Sequence, residues 1–317
     1  AGNGPTLGFG EVGSESGPSQ AAVVIGTSGT TGTPKEIFLS SHALISSARA
    51  SNAFIGAKPG DTWSLLLPLT HVAAVNVFVR AFELGTIPVD LRNHSGEYPR
   101  VNFTAIVPTQ LFRALNGDDH LLKHLQGAQR VLVGGAALSS GIRNQASAAG
   151  INVVTTYGMS ETSGGCVYNG EVLEGTEVEV RGGSIFIRGN VLALNLDLSD
   201  GWFATSDLGE FVDEKLVVIG RSDDVIISGG ENLSLNNVES VLNESFPTIQ
   251  CAAFSVDDPQ WGQSLHIAVV GDVDTNSITS VLERKIGAFA KPKGIHFMNS
   301  LPLLGIGKID RKTLAQG

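Results

Sequence analysis

The chain has 317 residues, of which 42% are hydrophobic and 16% charged, and its formal net charge at pH 7 is −10. This composition suits a folded protein of two domains and excludes long disorder. The acidic balance argues against a broad nucleic-acid surface, and no apolar run approaches the roughly 20 residues that cross a bilayer. The two cysteines, Cys166 and Cys251, are too few for a disulfide framework or a metal cluster, which favours a cytoplasmic location.

Residues 1–20 lack the charged-then-apolar order of a signal peptide and predict an exposed, flexible leader. Between residues 21 and 158, short β-rich runs alternate with helix-like stretches, which predicts an α/β domain with a largely parallel sheet. The predicted strands are 21–26, 62–69, 103–108, 130–135 and 151–158, and the predicted helices are 40–54, 73–85, 109–115 and 140–150.

Beyond residue 158 the pattern changes to hairpins at 177–189 and 209–220, which predict a small antiparallel unit that completes a large domain, 21–221. A polar junction at 220–224 predicts the domain boundary. The rest of the chain, 222–317, mixes helical and strand patterns and predicts a small α+β domain.

The segment TSGTTGTPK, residues 27–35, follows the apolar strand predicted at 21–26. Its small residues let the backbone approach a polyphosphate, its hydroxyl groups donate hydrogen bonds, and Lys35 supplies a cation. It is not a Walker loop, because Pro34 stands where a glycine must precede the lysine. Taken alone, the segment could equally be a surface loop rich in serine, threonine and glycine.

This segment closely resembles the phosphate-binding signature of the adenylate-forming superfamily, which includes acyl-CoA synthetases, adenylation domains and luciferases. The resemblance extends over nearly all of residues 23–314 and implies ATP-dependent activation of a carboxylic acid as an acyl-adenylate. It also implies that the C-terminal domain, 222–317, is mobile. In the loop, the residues that the resemblance assigns to ATP are Thr27, Ser28, Gly29, Thr30, Thr31 and Gly32.

Residues 157–162, YGMSET, resemble the family segment that binds adenine, the α-phosphate and Mg²⁺. Tyr157 offers a flat face for stacking, and Glu161 is a hard oxygen ligand suited to Mg²⁺. Gly158 and Ser160 would lie near the nucleotide. The loop at Gly134, Gly135 and Ala136 resembles one that lines the adenine and acyl pockets, although a packed turn would explain each motif alone.

Further resemblances concern the ribose and the hinge. Asp207 matches the acid that binds the ribose hydroxyls, and its two acceptor oxygens suit a vicinal diol. Arg221 matches a second ribose or phosphate contact, and Asp223 occupies the hinge position. An aspartate that begins a β-turn is the structural alternative for Asp207.

Residues 302–311, PLLGIGKIDR, resemble the C-terminal lysine motif of the family. Lys308 would reach the active site and stabilise the charge that develops when a carboxylate attacks the α-phosphate. Just after the hinge, the resemblance to CoA ligases implies CoA binding at Ser228, Gly229, Gly230 and Glu231, whereas a plain hairpin is the alternative.

The stretches 68–86 and 107–115 resemble o-succinylbenzoate–CoA ligases of menaquinone biosynthesis. The substrate of that subfamily has two carboxylates, one activated and one left over. Arg80 could hold the spare carboxylate with two parallel hydrogen bonds, and His71 would line the acyl pocket. The alternatives are an exposed helical arginine and a histidine whose hydrogen bonds serve the fold.

The sequence departs from the family in its N-terminal region, since only 26 residues precede Thr27 where the family carries a much longer segment. A missing subdomain would expose apolar surface, and a homodimer is one way to cover it. Two further functions stay open: an aryl-acid adenylating enzyme that loads a carrier protein, and a non-catalytic nucleotide-binding relative. The expected ligands are ATP, Mg²⁺, CoA and a small carboxylic acid.

Overall fold

The computed structural model describes residues 4–27, 35–228, 230–258, 262–304 and 308–316, with the side chains of residues 223, 304 and 308 outside the description. The strands are β1 (Leu7–Phe9), β2 (Ala21–Thr27), β3 (Lys35–Ser40), β4 (Trp63–Leu65), β5 (Val89–Asp90), β6 (Phe103–Ile106), β7 (Arg130–Val133), β8 (Val153–Met159), β9 (Gly164–Tyr168), β10 (Glu171–Val172), β11 (Thr176–Arg181), β12 (Ser184–Gly189), β13 (Phe203–Val212), β14 (Lys215–Arg221), β15 (Val225–Ser228), β16 (Glu231–Ser234), β17 (Gln250–Asp258), β18 (Gly262–Val270), β19 (Gly294–Phe297), β20 (Leu303–Leu304) and β21 (Lys308–Ile309). The α-helices are α1 (Ser41–Ile55), α2 (Val72–Glu83), α3 (Pro108–Leu115), α4 (Asp119–Gly127), α5 (Ser140–Ala148), α6 (Leu235–Ser245), α7 (Thr275–Lys285) and α8 (Arg311–Gln316).

A seven-stranded sheet with the order β10-β9-β8-β7-β6-β4-β5 forms the centre of the large domain. Strands β4 to β8 are parallel, and β9 and β10 add an antiparallel edge. The predicted α/β layer is therefore confirmed. The strand predicted at 62–69 is shorter than expected: β4 ends at Leu65, and the next carbonyl, that of Leu66, accepts a hydrogen bond from the Gln110 side chain in place of a strand partner.

Helices cover both faces of this sheet, as a buried parallel sheet requires. Helices α1 and α2 lie against one face over Trp63, Phe103 and Tyr168, whereas α3, α4 and α5 enclose a second core around Leu111 and Val131. Local sequence signals place the helix ends. Ser40 caps the first turn of α1, Gly56 ends that helix at φ 71°, and Pro108 opens α3 at a position where no N–H is needed.

A small sheet of β1, β2 and β3 lies at the start of the described chain. Strand β2 pairs antiparallel with β3, so that Thr27 and Lys35 are directly opposite each other. Strand β1 pairs parallel with β2. Residues 7–9 thus belong to this sheet, although they lie inside the segment that the sequence predicts to be a flexible leader.

The antiparallel unit predicted after residue 158 is a four-stranded sheet of β11, β12, β13 and β14. Beyond β14, a 3₁₀ turn at Ser222–Asp224 leads into a separate five-stranded sheet, β15 to β19, packed against α6 and α7. None of the sheets in the described chain includes strands from both sides of this turn.

Cys166 and Cys251 are buried free thiols, and no helix among the described residues is long and apolar enough to cross a membrane.

Candidate active site

The predicted nucleotide and acyl residues of the large domain gather where the parallel strands end. His71 follows β4, the Gly134 loop follows β7, and Tyr157 lies near the end of β8. Because the carboxyl ends of parallel strands meet at one edge of a sheet, residues far apart in sequence become neighbours there. This edge is the usual ligand position in open α/β sheets.

Strands β2 and β3 flank the predicted phosphate-binding segment in sequence. Thr27 and Lys35 are Cα partners, and the Thr27 hydroxyl donates a 2.9 Å hydrogen bond to the Lys35 carbonyl. The predicted loop residues between them lie outside the described residues; they are Ser28, Gly29, Thr30, Thr31 and Gly32.

The cation at the end of this hairpin meets the predicted Mg²⁺ acid. Lys35 Nζ lies 3.4 Å from Oε1 of Glu161, although 126 residues separate the two in sequence. The Lys35 side chain remains about half exposed, with 54% of its surface accessible, whereas that of Glu161 is 19% exposed. Glu161 belongs to a 3₁₀ turn, Ser160–Thr162, and its backbone carbonyl accepts a hydrogen bond from Ala193 N, which holds the turn in place.

A second contact joins the predicted adenine and ribose residues. The Tyr157 hydroxyl donates a 2.8 Å hydrogen bond to Oδ2 of Asp207, and Arg221 Nη1 lies 3.7 Å from Oδ1 of the same carboxylate. Asp207 and Arg221 are directly opposite each other in β13 and β14. Burial, and then the nearby Asp207 charge, raises the pKa of Tyr157, so the phenol stays protonated and acts as a donor.

Two glycines allow the backbone to pass closely at this edge. A Cβ at Gly134 would lie 2.1 Å from Thr156 Oγ1, and a Cβ at Gly158 would lie 2.0 Å from the Gly164 carbonyl oxygen. Neither position can accept a side chain without moving its neighbour. Gly135 and Ala136 follow Gly134 in an exposed loop beside the end of β8.

A scan against protein families matches residues 8–189 to the AMP-binding enzyme family and residues 237–308 to the AMP-binding enzyme C-terminal domain. The chain belongs to the AMP-forming acyl-CoA ligases.

Curated relatives agree with this assignment. The enzyme is 37% identical to a protein of Mycobacterium tuberculosis named "Probable 2-succinylbenzoate--CoA ligase", over 93% of this chain and 84% of the relative. It is 28% identical to the 2-succinylbenzoate--CoA ligase of Lactococcus lactis, over 92% of this chain and 70% of the relative.

Solved structures have the same fold. The o-succinylbenzoate CoA synthetase (MenE) of Bacillus subtilis, in complex with the acyl-adenylate intermediate OSB-AMP, matches with a TM-score of 0.77 and 25% identity over 93% of this chain and 69% of its own. The ATP-bound MatB of Rhodopseudomonas palustris matches with a TM-score of 0.80 at 23% identity, over 93% and 68% of the two chains, which supports the fold alone.

Helix α2 and its N-cap carry two of the four predicted acyl residues, His71 and Arg80. His71 is the N-cap residue and is partly exposed, whereas Arg80 lies more than two turns further on and is only 4% exposed. The alternative of an exposed helical arginine is therefore wrong for Arg80. Its Nη2 donates a 3.0 Å hydrogen bond to the Tyr168 hydroxyl, and its guanidinium carbon lies 5.1 Å from the centre of the Trp63 ring. Its buried Nε has no hydrogen-bond partner among the described residues.

Asn76 is a buried polar residue of this region that the sequence motifs did not reveal. It lies one turn before Arg80 on the same face of α2, and its Nδ2 donates a 2.6 Å hydrogen bond to the Ser163 carbonyl, two residues after Glu161. Its Oδ1 is buried and has no hydrogen-bond partner in the part of the chain that the structure describes. An asparagine within the apolar run VAAVNVFV is the sequence signal that could have identified it.

The C-terminal domain contains the remaining predicted residues. Ser228 and Glu231 pair across the β15–β16 hairpin with Gly230 in its turn, and Gly229 lies outside the described residues. Asp223 belongs to the interdomain turn and Lys308 to β21, with both side chains outside the description. The structure thus brings Lys35 to Glu161, and Tyr157 and Arg221 to Asp207. The contacts of the other predicted residues, including Lys308 and the CoA segment, with a common site stay predictions.

Proposed function

We propose that this ligase activates o-succinylbenzoate. In the first half-reaction, one carboxylate oxygen of the acid attacks the α-phosphorus of ATP, and the bond to pyrophosphate breaks to leave an acyl-adenylate. In the second half-reaction, the deprotonated thiol of CoA attacks the acyl carbonyl, and AMP leaves. The products are o-succinylbenzoyl-CoA, AMP and pyrophosphate.

The observation that carries the choice of acid is the environment of Arg80. Its charge is buried, and no aspartate or glutamate among the described residues forms an ion pair with it. A buried cation is costly unless an anion compensates it. A substrate with a second carboxylate would supply that anion, and the Nε that lacks a partner would give Arg80 a second donor beside its outer nitrogens.

Helix α2 would line the space between the reacting phosphate and Arg80. Asn76 contacts the backbone next to the Glu161 turn, and Arg80 lies one helical turn, about 5.4 Å, beyond it on the same buried face. An acid activated beside Glu161 would therefore extend along α2 toward Arg80. His71, at the start of the same helix, would contact the acid near the sheet edge.

For the nucleotide, the proposal assigns adenine to Tyr157 and Ala136, and the ribose hydroxyls to Asp207 with Arg221 beside it. Gly134 and Gly135, in the same loop as Ala136, would line the acyl pocket. The phosphates would bind the segment 27–35, with Lys35 as its cation. Gly158 and Ser160 would approach the α-phosphate.

Glu161 would hold Mg²⁺ together with phosphate oxygens, because its carboxylate is partly exposed and points toward the cation of the phosphate segment. When bound, Mg²⁺ neutralises charge on the phosphates that depart. Lys308 would approach from the C-terminal domain for adenylation. Rotation at Asp223 would then bring the β15–β16 hairpin, with Ser228, Gly229, Gly230 and Glu231, to the CoA.

The direct test is acid-dependent exchange of pyrophosphate into ATP, with o-succinylbenzoate, benzoate and benzoylpropionate compared. We expect the highest kcat/KM with o-succinylbenzoate and formation of its thioester only when CoA is present. Exchange with none of the acids would contradict the ligase assignment. If the rate of AMP release does not change when CoA is added, the result would instead favour an enzyme that loads a carrier protein.

A further inference from the structure

Arg311 is at the centre of a polar network in the C-terminal domain. It begins α8, three residues after Lys308. Its Nε donates a 2.9 Å hydrogen bond to the Ala253 carbonyl, and its Nη2 donates to Glu239 Oε1 at 3.0 Å and to Asn236 Oδ1 at 3.3 Å. On its other side, Nη1 lies 3.7 Å from Oδ1 of Asp224.

These four partners belong to three elements that are distant in sequence. Ala253 lies in β17, Asn236 and Glu239 lie on α6, and Asp224 ends the turn that joins the two domains. The partners also bind one another: Asn236 Nδ2 donates to Asp224 Oδ2 at 3.1 Å, and Ala253 N donates to Glu239 Oε1 at 2.8 Å. The network is therefore closed rather than a set of separate contacts.

The shape of the side chain matters for this arrangement. A guanidinium group presents five N–H donors in a fixed plane, so one residue can bind acceptors on several sides at once. The side chains of Arg311, Asp224 and Glu239 are 25%, 20% and 13% exposed, so water competes little for these bonds. A lysine at the same position would keep the charge but could not serve both Ala253 and Asp224.

Apolar packing holds the residues on either side of Arg311, in the segment formed by β21 and α8. Leu314 of α8 is buried against Phe254, Ala252 and Ala268, and Ile309 of β21 packs against the same cluster. The apolar contacts thus attach the segment to the sheet, while Arg311 alone among its described residues bonds to the interdomain turn through Asp224.

We propose that Arg311 is a positioning residue that ties the segment carrying Lys308 to the interdomain turn, so that the lysine and the turn move as one unit. This inference rests on the proposed function, in which Lys308 acts in adenylation and the C-terminal domain changes orientation for thioester formation. Loss of the link leaves Lys308 present but badly placed. Since ATP and the acid bind mainly to the large domain, their binding is retained.

The test compares Arg311→Lys and Arg311→Met with Lys312→Met, which removes an exposed cation from the adjacent position. We expect both Arg311 variants to lower kcat for acid-dependent pyrophosphate exchange by about 10- to 100-fold, as for a catalytic group displaced by about 1 Å. The KM values for ATP and acid should stay within about twofold, and Arg311→Lys should not restore the rate, because the charge is not what positions the segment.

Thioester formation from supplied acyl-adenylate separates positioning from a general folding defect, since it needs a folded C-terminal domain but not Lys308. It should fall by no more than about threefold in either Arg311 variant. Equal losses in both half-reactions, or full activity of Arg311→Lys, would overturn the inference.

Lys308→Ala distinguishes this failure from failure of the proposed function. If Lys308→Ala exchanges normally, the function assigned to the lysine is wrong. If Lys308→Ala is inactive in exchange while Arg311→Met is normal, only the positioning role is wrong.

Discussion

The Tyr157 hydroxyl donates a 2.8 Å hydrogen bond to Asp207, which joins the end of a central parallel strand to the antiparallel sheet fifty residues later. The two predicted nucleotide residues therefore hold each other before any ligand arrives. Asp207 keeps a second oxygen, which lies 3.7 Å from Arg221 across the strand pair. This arrangement fixes the orientation of the carboxylate that we propose binds the ribose hydroxyls.

Asp207→Asn should raise the KM for ATP by about 10- to 100-fold, because hydrogen bonds to a charged acceptor contribute about 1.5–3 kcal/mol. Tyr157→Phe is the matched control: it keeps the aromatic face and removes the hydrogen bond to Asp207, so the KM should rise by less than about tenfold. Initial-rate kinetics at saturating acid would measure both. A larger effect of Tyr157→Phe than of Asp207→Asn would contradict the ribose assignment.

Glu161→Gln should raise the Mg²⁺ concentration for half-maximal exchange by about tenfold, since a neutral amide oxygen replaces a charged ligand. A magnesium titration of the exchange rate measures this. Lys35→Gln, at the other end of the 3.4 Å contact, should weaken ATP binding without the same change in magnesium dependence. Identical magnesium curves for wild type and Glu161→Gln would remove Glu161 from the metal site.

Lys308→Ala should lower the rate of adenylation by about 100-fold or more, because the variant lacks the cation that we propose stabilises the reacting phosphate. The same variant should form thioester from supplied acyl-adenylate at nearly the wild-type rate. Single-turnover assays of each half-reaction separate the two steps. Lys312→Ala controls for the loss of a nearby exposed cation and should leave both steps unchanged.

Arg80→Lys should lower kcat/KM for o-succinylbenzoate by about 10- to 100-fold, since the paired donors to its spare carboxylate are lost. For benzoylpropionate, which has a single carboxylate, the change should be small. Tyr168→Phe removes the hydrogen bond to Arg80 but keeps the ring, and it controls for disturbance of the surrounding core. An equal loss for both acids would place Arg80 outside the acyl site.

The buried His124 should make stability depend on pH. Burial lowers its pKa below the ordinary value of 6.5, and its ring nitrogens lie 3.0 Å from Ser64 Oγ and 3.2 Å from the Pro99 carbonyl oxygen. Below about pH 6.5 the unfolded chain binds the proton before the folded protein does, so the free energy of unfolding falls as the pH drops.

Urea unfolding between pH 5.5 and pH 7.5 would measure this dependence, with the pH range chosen around the ordinary pKa of about 6.5. His124→Gln should flatten it, whereas His120→Gln, an exposed histidine on the same helix, should not. A slope that His124→Gln leaves unchanged would show that other groups cause it.

The parallel sheet, the later antiparallel unit and the small C-terminal domain could be read from the sequence, because each produces a local pattern of apolar spacing and turns. Motif residues such as Asp207 and Glu161 could be named for the same reason. Pairing of residues 7–9 with β2 could not be predicted, since two of the three residues are exposed and only Phe9 packs against the core. The hydrogen-bond networks around Asn76 and Arg311 could not be predicted either, because their partners lie in different parts of the chain.

The sequence by itself determined the chemistry of the predicted nucleotide segment at 27–35: small residues, hydroxyl groups and a terminal lysine, in an order that resembles adenylate-forming enzymes. Only the tertiary structure decided that Lys35 lies against Glu161 and that Arg80 is buried without an acid partner among the described residues. Local patterns depend on a few neighbouring residues, whereas these contacts depend on strand order and helix packing, which bring together groups from more than a hundred residues apart.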